Sequence, residues 1–117
     1  MVNQVLAEEL RSELKRLQSE KEEYEKCCNS FMKEVQEEEG EFSERLYLLN
    51  QQRDECYDMK DYQLQDMFEA CQQSLSGMQG ACAKLLDTVE DESKSYYDQC
   101  KLKEEDLRRQ LKLLEVI

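Results

Sequence analysis

The chain has 117 residues, 39% hydrophobic and 38% charged, with three glycines and no proline, tryptophan or histidine. Its formal charge is −12, spread as −5 over residues 1–40, −5 over 41–76 and −2 over 77–117. So few turn formers exclude a set of short strands, and a surface negative along its length disfavours nucleic acid and anionic membranes as partners.

The opening MVNQVLAEEL lacks a basic region followed by an apolar run, so it does not read as a secretory signal. No stretch approaches the eighteen or so apolar residues of a membrane span. A helical pattern begins within the first ten residues and is still running at LKLLEVI, which predicts that 1–117 is one coiled-coil segment of a longer protein.

The first third reads as heptads. Leu10, Leu14, Leu17, Tyr24, Cys28, Phe31 and Val35 alternate at spacings of three and four, with Lys21 as the polar interruption. The glutamates between them leave a stripe too narrow for a globular core but suited to a coiled-coil seam. Phe42 and Leu49 continue one line, while Leu46 belongs to a shifted frame, which predicts a stutter or bend over 38–46 near Gly40.

The segment 50–63, NQQRDECYDMKDYQ, is the least apolar part of the seam, with Cys56 and Met59 lining it. It reads as a loosely packed stretch of coiled coil; its functional alternative is a hinge or docking stretch. From residue 64 the interval changes to eleven: Leu64, Leu75 and Leu86 form one line, Met67, Met78, Val89, Cys100 and Leu111 another, and Cys71 and Cys82 a third. Such hendecads predict a straight or slightly right-handed supercoil, passing back to heptads through Leu107, Leu111 and Leu114. These lines cross Gly77 and Gly80 without losing phase, which predicts one unbroken all-α helix of about 175 Å, at 1.5 Å per residue. The alternative is a three-helix bundle with turns near Gly40 and Gly77/Gly80, which would need wider apolar faces.

A seam of two apolar residues in seven needs a second chain, and its mixture of side-chain shapes favours a parallel, in-register homodimer. Five of the six cysteines fall on the stripe as small hydrophobes, Cys27 being the exception, and thiols of this kind suit a reducing compartment, the cytoplasm. With no C-x-x-C pair and no histidine, no metal or other cofactor is expected. The carboxylates lie on helix faces where nothing raises their pKa, so no enzymatic activity is expected. Glu22–Lys26, Glu41–Arg45, Glu90–Lys94, Glu104–Arg108 and Glu105–Arg109 are spaced for i, i+4 ion pairs. Tyr24, Tyr57, Tyr62, Tyr96 and Tyr97 stand beside acidic residues, where flank packing outweighs phosphorylation as the reading.

The composition is that of helical segments in cytoskeletal, centrosomal, ciliary and trafficking-adaptor proteins. The expected function is therefore a structural one: oligomerisation and scaffolding that dimerises or spaces the domains of a larger protein. The alternative is a regulated protein-binding module docking a partner near residues 50–80, where Met59, Met67 and Met78 offer adaptable side chains.

Overall fold

In the computed structural model, described over residues 2–56 and 61–116, the chain is all-α. Helix α1 spans Val2–Glu55 and α2 spans Tyr62–Val116. Each is a long helix with its apolar residues gathered on a narrow stripe, as the heptad spacing predicts. Gly40, Gly77 and Gly80 all lie inside these helices with no positive φ, so the three-helix alternative with turns at the glycines does not form.

The helix is interrupted, however, and the interruption falls inside the polar segment 50–63. Its residues 57–60, Met59 and Tyr57 among them, lie outside the described residues. The flanks of the break are well specified. At the end of α1 the Cys56 amide donates to both the Gln52 and Arg53 carbonyls at 3.1 Å, the tightening common in a last turn. Asp61 is the N-cap of α2: its carboxylate accepts from the Leu64 amide at 3.1 Å, while its carbonyl accepts from the Gln65 amide. The Gln65 side-chain amide donates to the Cys56 carbonyl at 3.3 Å, satisfying one of the carbonyls that a helix terminus leaves free.

The helices divide between two packing units. In the first, residues 1–30 and 90–117, the two helix segments run antiparallel: Arg11 pairs with Glu115, Lys21 with Glu104, and Cys28 meets Ser93. In the second, residues 31–89, the chain forms an antiparallel helical hairpin around the 56–61 connection, with Ser43 against Gln79 and Arg53 against Gln72. The seam spacing alone points to a parallel pairing between copies. In each unit the seam is instead covered by the other helix of the same chain.

The repeat of α2 also differs from expectation. Its inward positions are Gln65, Phe68, Gln72, Leu75, Gln79, Cys82, Leu86, Val89, Ser93 and Tyr96, alternating by three and four. Heptads thus describe these positions, with one frame change where Tyr96 and Tyr97 are followed by Cys100, Glu104 and Leu107. Of the predicted eleven-residue lines, Leu64, Leu75 and Leu86 do face inward, while Met67, Cys71 and Met78 do not. In α1 the line Ala7, Leu14, Lys21, Cys28, Val35, Phe42 and Leu49 holds a strict seven-residue interval, which Cys56 continues just past the helix end. Its companion line steps from Tyr24 to Met32, Glu39, Leu46 and Arg53, a shift of one residue ahead of Gly40 that the first line does not share.

Candidate functional site

The seam of each unit brings together most of the residues singled out by spacing. In the first unit Leu17 and Cys100 are buried, and Leu10, Leu14, Tyr24, Cys28, Leu107, Leu111 and Leu114 are half-buried. In the second Val35 is buried, and Phe42, Leu49, Cys56, Leu64, Leu75, Cys82, Leu86 and Val89 are half-buried. Four residues do not join a seam. Phe31, Met67, Cys71 and Met78 are exposed, because the heptads of each helix turn them outward.

Polar residues fill the places that apolar spacing overlooks. Arg53 Nη1 donates to Gln72 Oε1 at 2.9 Å and Gln79 Nε2 donates to Ser43 Oγ at 2.7 Å. Asn50 Oδ1 is buried with no hydrogen-bond partner among the described residues. Lys21 and Glu104, each with 24% of its side chain exposed, form a pair at 3.7 Å, and Glu104 also accepts from Arg108 at 3.2 Å. Polar layers of this kind lower stability but fix which residues stand opposite one another. Leu86, Cys100, Leu107 and Leu114 stand at multiples of seven. Extending that line towards the N-terminus would have located Ser93, Gln79, Gln72 and Gln65.

At the centre of the first unit is a cluster of tyrosines and thiols. Tyr24 stacks on Tyr96 at 3.8 Å between ring centroids, and Tyr97 meets both rings edge-on, at 5.9 Å and 5.7 Å. Ser93 Oγ lies 3.7 Å from Cys28 Sγ. Burial pushes the Tyr96 hydroxyl up to about 12, assisted by its hydrogen bond with Cys100, and burial raises Tyr97 as well. Both phenols are neutral at physiological pH, so the cluster packs as an aromatic core layer with its hydroxyls protonated.

Of the five predicted i, i+4 ion pairs, Glu104–Arg108 closes, while Arg45 lies over the Phe42 ring at 5.9 Å. All six cysteines are free, and among the described residues no cluster of three or more potential ligands could hold a metal ion. A shallow groove lined by Glu13, Arg16, Leu17, Glu20, Lys103, Asp106 and Leu107 is open and mixed in sign. Among the described residues no helix is long and apolar enough to cross a membrane. Compared with protein-family models, curated proteins and solved structures, the chain gives no match in any of the three.

Proposed function

We propose that this chain is a non-enzymatic coiled-coil segment that holds copies of its parent protein together and spaces their domains. The thin core carries this reading. Among the described residues only Ala7, Leu17, Val35 and Cys100 are buried hydrophobics, while eleven large apolar or aromatic side chains remain exposed. A pair of helices buries one stripe on each member; two pairs brought together build the interior of a four-helix assembly. Six free thiols and no disulfide fit the reducing cytoplasm, with a cytoskeletal, centrosomal, ciliary or trafficking scaffold as its setting.

Sedimentation equilibrium at micromolar concentration tests the reading. A dimer is expected, with a melting temperature that rises with protein concentration. A monomer of 14.0 kDa at all concentrations would sink it.

A second reading, docking of a different protein near residues 50–80, draws support from Tyr62, Met67 and Met78, which are 80%, 65% and 50% exposed. Affinity capture with the wild-type chain and with Met67→Glu would test it. Recovery of a stoichiometric partner by the first and not the second is the expected result; capture that ignores the substitution would argue against it.

A further inference from the structure

Helix α2 carries a second stripe within the 31–89 unit. Met67, Cys71, Ser74, Met78, Ala81 and Leu85 recur at spacings of four, three, four, three and four, and all are exposed. The stripe lies beside the seam line of Phe68, Leu75 and Cys82, about a quarter-turn round the helix at 100° per residue. It crosses the longest uncharged run in the chain, fourteen residues from Ala70 to Ala83, in a protein otherwise 38% charged. Exposed faces elsewhere are dominated by Glu, Lys and Asp; this one is methionine, leucine and small residues.

We propose that this stripe pairs antiparallel with the same stripe of a second copy, about a two-fold axis level with Ser76. The proposal rests on the dimer reading above and names its surface. About that axis the stripe is self-complementary. Met67 of one copy stands opposite Leu85 of the other, Cys71 opposite Ala81, and Ser74 opposite Met78, so each contact occurs twice, as an isologous interface requires. Met67 and Leu85 lie at the two ends, and nearer the centre each Met78 faces the small Ser74 of the other copy. Gly77 borders the stripe and carries no Cβ, so the two helices can approach closely beside Met78.

Charge selects the occupant. With −12 on each chain, two copies repel across most surfaces, and the uncharged run is where they can meet without that penalty. Asp66 and Lys84 are exposed, sit on one flank of the stripe, and neither has an ion-pair partner among the described residues. In the antiparallel pair Lys84 of each copy comes within two residues, about 3 Å along the axis, of the level of Asp66 of the other, close enough for its long side chain to give two reciprocal opposite-charge contacts. In a parallel in-register pair these residues would be about 27 Å apart along the axis, at 1.5 Å per residue, and would gain nothing from each other.

The test uses a full-length chain in which Cys71 is the only cysteine, with and without Ala81→Cys, oxidised by copper phenanthroline. Covalent dimer is expected in high yield with Ala81→Cys and in low yield without it, since the two Cys71 residues stand about 15 Å apart along the axis. In the chain with all its cysteines, Met78→Lys should weaken dimerisation at least tenfold by sedimentation equilibrium, with helicity by circular dichroism unchanged. Asp66→Lys should weaken it several-fold, and adding Lys84→Asp should restore it. Covalent dimer from Cys71 alone, or a dimer indifferent to Met78→Lys, would overturn this surface while leaving dimerisation standing. A monomeric wild-type chain would overturn both.

Discussion

Tyr24 of α1 stacks on Tyr96 of α2, ring centroids 3.8 Å apart and planes inclined by 21°. The contact ties the first unit's two helix segments at one level, and it partly desolvates the Tyr96 phenol. Replacing Tyr96 by Ala should cost about 2–3 kcal/mol, from lost burial plus the stacking increment. A double-mutant cycle with Tyr24→Leu, read from urea unfolding curves, should return a coupling of about 0.5–1.5 kcal/mol. A coupling near zero would show the stack to be incidental.

The same burial predicts alkaline behaviour. Tyr96 titrates at about 12 in the folded chain against the ordinary 10.0, and Tyr97 is raised too. The folded state therefore holds these protons more tightly than the unfolded state. Stability from this source is complete below pH 10 and falls as pH rises from 10 towards 12. Tyrosinate absorbance should show a late-titrating fraction that Tyr96→Phe diminishes, and the mutant's unfolding free energy should fall less steeply across that window.

Lys21 and Glu104 face each other at 3.7 Å within an otherwise apolar stripe. Removing one partner strands a half-buried charge, so Glu104→Ala should destabilise by about 1 kcal/mol. Replacing both by Leu should be neutral or stabilising, with a raised melting temperature. Stabilisation by Glu104→Ala alone would contradict this assignment.

Asp61 starts α2 by accepting the Leu64 amide at 3.1 Å. Asp61→Ala should therefore cost about 1 kcal/mol, and Asp61→Asn less than half of that. Chemical denaturation followed by circular dichroism distinguishes the two; equal losses would argue for a role other than capping.

Gly80 lies in a regular helical conformation, and a Cβ placed on it would meet nothing within 4 Å. Gly80→Ala should stabilise the chain by about 0.5–1 kcal/mol, the helix-propensity difference alone. Thermal and urea unfolding of the variant measure this directly. A loss of stability would mean that another molecule packs against this position.

Helical character and the narrow stripe were legible in the sequence. Both follow from local chemistry: residues that favour helices, apolar side chains every three or four positions, and no proline to stop them. The passage of helix through Gly77 and Gly80 was legible as well, since the stripe keeps its phase across both; at Gly40 the spacing pointed to a stutter or bend, and the helix continues there too. The sequence also holds the Asp61 cap that starts α2, but without glycine or proline beside it the stop at 55 gives little local signal.

What covers the stripe could not be read locally. A seam of Leu, Val and Cys gains from burial whether the opposing helix belongs to a second copy or follows a short connection, because hydrophobic burial is non-directional. The antiparallel arrangement within each unit depends on pairings distant in sequence, such as Ser43 with Gln79, Lys21 with Glu104 and Tyr24 with Tyr96. The same pairings decide why Gln72 and Gln79 turn inward while Met67 and Met78 stay exposed. Hydropathy ranks those four residues the other way; only the tertiary structure, by supplying polar partners across the seam, reverses the order.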